Sequence, residues 1–218
     1  MLSQTEENYL KAIGKLAGEA GAVGTAELSK ALNVSAPTVN SMMKRLDEKG
    51  LVSYKKYRPA TMTEKGRKAA AGIIRRHRLT EMFLQEKMGF DWEQVHEVAE
   101  QIEHVSSPAF FDRMDEILGF PRFDPHGSPI PDRHGEIKKR HLKKLCDAVS
   151  GQQVELVALD NTTNDFLAFL NKRGLTIGAL LTVKSVEPYD GSMEVMKNDG
   201  EVITLGMQVC RDLLVEII

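Results

Sequence analysis

TAELSKALNVSAPTVNSMMKRLDEKGLV, residues 25–52, is the stretch that decides the fold. Thr25 caps a short helix whose apolar residues are Ala26, Leu28, Ala31 and Leu32, and Asn33-Val34 is a tight connection. Ser35 then caps a second helix with Pro37 in its first turn, where the missing N–H leaves no bond unmade. Val39, Met42, Met43 and Leu46 recur on one face of that helix, and Gly50 is a natural residue to follow its end. Two helices joined this closely read as a helix-turn-helix. Upstream, Ser3 and Glu6 make a capping box for a helix running to about Leu16, with Tyr9, Leu10, Ile13 and Leu16 on its apolar side and Gly18, Gly21 and Gly24 beyond it. Downstream, residues 51–55 and 60–63 are short extended segments joined by the basic tip Lys56-Tyr57-Arg58-Pro59. Three helices and a small hairpin, in that order, predict a winged helix-turn-helix.

The second helix of the pair would enter the major groove by its N-terminal residues, so Ser35, Pro37, Thr38, Asn40, Ser41 and Lys44 are the expected DNA-facing side chains. Their short hydroxyls and amide suit phosphate or base edges, and Pro37 offers apolar contact to a thymine methyl. Lys55, Lys56 and Arg58 of the hairpin, with Arg45, Lys65 and Arg67, supply cations for phosphates. The charge distribution favours this over an ordinary solvated basic face. Residues 1–78 carry 15 Lys and Arg against 7 Asp and Glu, a net +8. Residues 79–126 carry 3 against 11, a net −8, and the remaining 92 residues come to −2. A basic head before an acidic middle points to an anionic partner in front and a cationic ligand behind.

The chain of 218 residues can bury a sizeable core and holds more than one domain. No apolar run approaches a membrane span, and the N-terminus lacks a signal-peptide layout. With no such run no membrane partner is expected, and Cys146 and Cys210, far apart and not in a CxxC, fit a reducing cytosol.

From Thr63 a long helix is expected to reach Gly89, basic in its first half and apolar and acidic in its second. The stretch VHEVAEQIEH, residues 95–104, continues as a helix capped by Asp91, and Ser107-Pro108 opens another that ends at Leu118-Gly119. Apolar positions such as Leu79, Met82, Phe83, Ile102, Phe110, Met114 and Ile117 call for a partner surface, which a symmetric dimer would provide. Residues 120–135 are rich in Pro and Gly and form no regular element. Residues 136–150 read as a basic linker helix. The period then changes to two, giving strands over 153–159, 179–187, 193–197, 202–205 and 213–218, with a short helix over 165–171. The expected architecture is mainly α with a small β domain: winged helix-turn-helix over 1–72, a helical metal-binding and dimerisation domain with its Pro-rich loop over 73–135, a linker helix over 136–150, and an SH3-like β-barrel over 151–218.

At about 100° per residue, His96, Glu100, Glu103 and His104 fall within roughly a quarter of the helix circumference. His77 and Glu81 share a face one turn apart. A stripe of imidazoles and carboxylates is either solvated or holds a divalent cation, and both readings stand on the residues alone. The donors are oxygen and nitrogen without thiolate, which suits Mn²⁺ or Fe²⁺ and makes a poor structural zinc site. Position 100 is Glu, so the HExxH zinc-protease pattern is excluded, and repeated ExxH motifs of a di-iron bundle are missing. No Ser/His/Asp or Cys/His set, GxGxxG or GxxxxGK[ST] occurs. The sequence therefore reads as no enzyme and names no small-molecule substrate.

The runs TEENYLKAI (5–13), SAPTVNSMMKRLDEKGLV (35–52), IRRHRLTE (74–81) and VHEVAEQIEH (95–104) together resemble the diphtheria-toxin-repressor family of metal-dependent repressors, whose three-domain members end in an SH3-like barrel. The resemblance implies a primary metal site of Glu100, Glu103 and His104 completed from the first helix at Asn8, where the family places Asp or Met. Glu7 is a neighbouring carboxylate there, and Lys11 stands where manganese-type relatives carry a further acid. Glu100 stands where iron-type relatives carry Cys, which tilts the expected ion to Mn²⁺ over Fe²⁺. The resemblance also implies an ancillary site of His77, Glu81 and His96. Further ligands would come from the barrel, where Thr162 and Asp165 stand, or, as in some manganese-responsive relatives, from Asp124 and His126 of the DPHG turn with an acid near Asp160.

The function expected is that of a cytoplasmic, homodimeric repressor that binds double-stranded operator DNA when metal is bound and controls metal-uptake genes. A winged-helix regulator indifferent to metal, and a metallohydrolase with an incidental helix-turn-helix, are the alternatives. Chelators and a hydrolysis assay separate them from the first.

Overall fold

The computed structural model describes residues 2–17, 21–56, 58–138 and 140–218. Gly18, expected to help end the first helix, and Tyr57 of the hairpin tip lie outside them. The chain divides into two compact units: residues 1–80, 99–116 and 130–137 form one, and residues 81–98, 117–129 and 138–218 the other.

In the first unit α1 (Gln4–Leu16) starts at the expected capping box, where the Ser3 hydroxyl accepts from the Glu6 N–H and the Glu6 carboxylate accepts from the Ser3 N–H. A two-residue strand β1 (Ala22–Val23) follows, then α2 (Thr25–Leu32) and α3 (Ala36–Glu48). Asn33 makes the turn between them in the left-handed region (φ 51°), a conformation its short amide tolerates. The wing consists of β2 (Val52–Ser53) and β3 (Ala60–Met62), shorter than their sequence pattern suggests. β1 joins them as an unexpected third strand, in the antiparallel order β1-β3-β2. Tyr9, Leu10, Ile13, Leu28, Val39, Met43, Leu46 and Ile73 fill the core, drawn from the periodic positions of α1, α2 and α3 and from the long helix α4 (Glu64–Met88). Thr63 caps α4 as expected, accepting from the Gly66 N–H at 3.0 Å. A β-carbon at Gly66 would lie 1.9 Å from the Leu51 carbonyl oxygen, so only glycine lets α4 start this close to the wing.

α5 (Val95–Ile102) begins four residues after the expected cap. Asp91 instead accepts the Gln94 N–H through its backbone carbonyl in a turn, and Trp92 is drawn into the core of the second unit. α6 (Pro108–Ile117) opens at the Ser107-Pro108 signal.

The second unit is organised on a six-stranded antiparallel sheet: β4 (Lys143–Lys144), β5 (Gln153–Leu159), β6 (Leu180–Val186), β7 (Met193–Lys197), β8 (Val202–Leu205) and β9 (Leu213–Ile217), in the order β4-β9-β5-β6-β7-β8. α7 (Asn164–Asn171) lies between β5 and β6, and the unanticipated α8 (Met207–Asp212) between β8 and β9. The alternating residues Val154, Leu156, Leu181, Val183, Met193, Val195, Leu213 and Val215 pack with Leu167, Leu170 and Trp92.

The linker helix expected over 136–150 does not form. Lys143 and Lys144 pair with Val215 and Leu214 of β9, and a single 3₁₀ turn (Leu145–Asp147) buries Leu145 completely. Local helix propensity yields here to an open sheet edge that needs a partner. No helix among the described residues is long and apolar enough to cross a membrane.

Candidate metal centre and DNA-facing elements

The residues expected on DNA occupy one end of α3 and the wing. Ser35, Pro37, Thr38, Ser41, Lys44, Lys55, Lys56 and Arg58 are exposed and Asn40 is half-buried. Ser35 caps α3, its hydroxyl accepting from the Thr38 N–H at 3.4 Å. The Asn40 side-chain oxygen accepts from the Tyr54 hydroxyl at 2.8 Å and from the Thr25 hydroxyl at 3.3 Å, tying α2, α3 and the end of β2 together. Arg45, offered by charge as a phosphate contact, is committed elsewhere: its Nε lies 2.8 Å from the carboxylate of Glu6, which also takes Lys49 at 2.6 Å. Burial pushes the Glu6 carboxyl up, but Lys49, the Ser3 N–H and Arg45 outweigh it and hold the group below the usual carboxylate range.

The expected primary ligands meet differently from the expected pattern. Asn8 is exposed. It sits about 100° round α1 from Glu7, whereas Glu7 and Lys11, one turn apart, share the face that meets residues 100–104. Glu7 accepts from His104 Nδ1 at 2.6 Å and from Arg76 at 2.9 Å. Lys11, only 7% exposed, places its ammonium 2.7 Å from Glu103 Oε1 and 3.3 Å from Glu100 Oε1. Glu103 has no exposed surface, and its other oxygen accepts from His77 Nδ1 at 2.5 Å. Burial raises the Glu103 pKa, while the bonds from His77 and Lys11 and their charge lower it, with a net depression. Arg76 Nε donates to the Glu103 carbonyl at 2.6 Å. Lys11 at the centre of this cluster is what sequence reasoning missed. It registered only as a replaced acid, since nothing in the local pattern shows where a lysine tip goes.

In the second unit Glu81, near the middle of α4, accepts from His96 Nδ1 on α5 at 3.0 Å. His77 stands one turn before Glu81 on the same helix. Glu81, Asp124 and His126 are all buried and bring one ligand atom each within 4.8 Å of one another. The DPHG turn explains how a Pro-rich loop achieves this. Asp124 Oδ1 accepts from the N–H groups of His126 and Ser128, each at 2.9 Å, and its own N–H donates to the Ser128 carbonyl. Gly127 lies at φ +83°, and a β-carbon there would stand 2.1 Å from the Val157 carbonyl oxygen. The loop is therefore pressed onto β5, where the Leu159 N–H donates to the His126 carbonyl at 3.0 Å.

The His126 ring stacks on Trp92, and its Nε2 lies 3.0 Å from the Trp92 carbonyl oxygen, which only accepts. Nε2 therefore carries the proton, and in the neutral ring Nδ1 keeps the lone pair. That is how proteins orient an imidazole for a metal. Two carboxylates and one oriented imidazole, buried and without thiolate, fit a hard-to-intermediate divalent ion such as Mn²⁺ or Fe²⁺. The remaining barrel candidates are not gathered there. Asp160 pairs with Lys144 at 3.2 Å, its side chain 47% exposed, and Thr162 and Asp165 are exposed. Burial pushes the Cys210 thiol up to about 11, so it is no thiolate at neutral pH.

A winged-helix DNA-binding unit joined to helices that carry a buried carboxylate–imidazole cluster, followed by a small antiparallel β domain, defines the class as a metal-responsive DNA-binding regulator. The N-terminal DNA-binding domain of iron-dependent repressors matches residues 1–60, their metal-binding and dimerisation domain residues 63–132, and the FeoA domain residues 143–217. The iron-dependent repressor IdeR of Mycobacterium tuberculosis is 29% identical over 99% of this chain and 98% of its own length. The diphtheria toxin repressor of Corynebacterium glutamicum is 36% identical over 60% of this chain and 57% of its own length. Among solved structures, a manganese-dependent transcriptional repressor in complex with manganese superposes with a TM-score of 0.89 at 31% identity, covering 97% of this chain and 99% of that one. ScaR with bound Zn²⁺ superposes at 0.79 with 29% identity, covering 98% and 99%. The chain belongs to the diphtheria-toxin-repressor family of metal-dependent transcriptional repressors, in its three-domain form. It is a repressor and not an enzyme.

Proposed function

We propose that this repressor is a cytoplasmic homodimer activated by Mn²⁺, with Fe²⁺ the second candidate, and that it binds operator DNA controlling metal-uptake genes. The observation that carries the reading is the buried Glu81–Asp124–His126 cluster, with His126 Nε2 held by the Trp92 carbonyl. Its oxygen-rich, thiolate-free donors favour Mn²⁺ or Fe²⁺ over a structural zinc, and solved relatives at 27% and 31% identity are manganese-dependent transcriptional repressors. His96 of α5, whose Nδ1 bonds Glu81, is the other candidate ligand. The ion would neutralise the acidic side chains that this segment buries.

The chain's own residues do the rest. The Asp124 carboxylate holds the DPHG turn by accepting backbone N–H groups, Trp92 fixes the His126 tautomer, and α3 with the wing presents the exposed Ser35, Pro37, Thr38, Ser41, Lys44, Lys55, Lys56 and Arg58 to the DNA. Metal and DNA then favour each other reciprocally, because each stabilises the conformation that the other prefers.

The test is operator binding by fluorescence anisotropy, with a labelled library of upstream regions and titrated Mn²⁺ or anaerobic Fe²⁺. Mn²⁺ is expected to tighten wild-type binding at least tenfold, and Glu81→Ala or His126→Ala to remove that gain. Binding that is equally tight in chelator would overturn the reading.

A further inference from the structure

Lys11 occupies the middle of a cluster that the family resemblance would assign to a metal ion. Its ammonium is buried, within 2.7 Å of Glu103 Oε1 and 3.3 Å of Glu100 Oε1, and His104 Nε2 lies 3.5 Å from the same Glu103 oxygen. A buried lysine stays charged only if its neighbours are anionic, and a wholly buried carboxylate stays ionised only beside cations. Each group here supplies what the other needs. Around them Glu7 is held by Arg76 and His104, and Glu103 by His77. Counting only the permanent cations, the three carboxylates of Glu7, Glu100 and Glu103 face Lys11 and Arg76. The acidic charge that would attract a divalent ion is already largely neutralised. An ion on Glu103 Oε1 would also have to sit against an ammonium bonded to that same oxygen. The residues present therefore do not fit a metal.

We propose that Lys11 is a tethered cation standing in for the metal at this cluster. The Glu100–Glu103–His104 group binds no divalent ion in the native chain, and its bonds to α1 are permanent instead of metal-dependent. Taken with the reading of Glu81, Asp124 and His126 as the metal site, on which this corollary rests, metal sensing is left to that second cluster. Helix α1 contributes a lysine lock where an acidic residue would contribute a ligand. The one-turn spacing of Glu7 and Lys11 carries both halves of that lock on a single helical face.

The test uses the full-length protein dialysed to equilibrium against Mn²⁺, with ions per chain counted by elemental analysis and affinities by calorimetry. Glu100→Gln, at a half-exposed carboxylate, is expected to leave the wild-type Mn²⁺ count and affinity unchanged within twofold. Lys11→Gln and Lys11→Glu are expected to gain one further Mn²⁺ per chain, and Glu103→Gln in either background to remove that gain. A tenfold weakening or a lost ion in Glu100→Gln would overturn the proposal. So would the absence of any gain in a Lys11 variant that keeps the wild-type circular dichroism and melting transition. Should both Lys11 variants fail to fold, the Glu100→Gln result alone decides. A wild-type chain that binds no Mn²⁺ while Lys11→Glu binds one would sink the Glu81–Asp124–His126 reading and leave the lysine stand-in intact.

Discussion

Glu6 and Glu103 have no exposed surface, and each stays ionised for a different reason: Glu6 because Lys49 and the Ser3 N–H bond it and the Arg45 charge lies beside it, Glu103 because His77 and Lys11 bond it. Glu6 has no part in the metal centre, so it gives the cleaner pH prediction. Its folded pKa lies below the unfolded value near 4.5. The stability it contributes is therefore complete above that value and is lost as pH falls through the lowered folded one. Urea unfolding of Glu6→Gln at pH 7 is expected to show a loss of about 1.5–3 kcal/mol, the scale of a hydrogen bond to a charged group. The gap to wild type should begin to narrow as pH falls below about 4.5 and close once pH is below the lowered folded value, and a gap that did not narrow on acidification would contradict this account. Gly127 is the other single residue with a decided role. Alanine there must leave φ +83° and clear the Val157 carbonyl, and so must push the DPHG turn off β5. Gly127→Ala should weaken Mn²⁺ binding tenfold or more in calorimetry, about 1.4 kcal/mol, with the winged-helix unit still folded.

Among the elements, α3 and the wing divide the labour of DNA contact in a way the sequence did not display. Asn40 accepts from Tyr54 and Thr25 through its side-chain oxygen, so it lacks the acceptor that a bidentate contact to adenine requires. Asn40→Ala is therefore expected to weaken binding about equally on all operator variants instead of relaxing one base position. A competition assay over single-base operator variants checks this. Lys44→Ala and Lys55→Ala should each reduce the slope of log K against log salt by about 0.9, the signature of one lost phosphate contact. What was legible here was local: the capping boxes, Pro37 in the first turn of α3, the Asn33 turn and the start of α4 all follow from neighbours within four residues. What was not legible depended on distant partners. Residues 143–147 carry helix-forming side chains but complete the edge beside β9, and α5 starts late because Trp92 belongs to the core of the β domain, its indole N–H donating to Asn171. Lys11 and Glu103 are 92 residues apart in the chain, and no periodicity links them.

For the molecule as a whole, the charge division into a basic head and an acidic middle has a direct structural counterpart. The head is the winged helix, and the acidic segment carries the buried Glu81–Asp124–His126 cluster. The apolar positions assigned to a partner surface divide as well. Leu79 and Met114 are buried within the chain, while Phe110 at 44% and Ile117 at 45% stay exposed on α6. Seven residues apart, Phe110 and Ile117 lie on one face of that helix, within the region that matches the family's metal-binding and dimerisation domain. Two large apolar side chains left in water on one short helix are a liability for a monomer and an asset for a two-fold dimer, which brings the same helix from both copies together. Phe110→Glu with Ile117→Glu should convert a dimer to a monomer in light scattering. Operator affinity should fall by a hundredfold or more, because each half-site is then bound alone and the effective concentration supplied by the second winged helix is lost. Mn²⁺ bound per chain should not change, since none of the proposed ligands lies on α6. A double variant that stayed dimeric at micromolar concentration would place the dimer contact on another face.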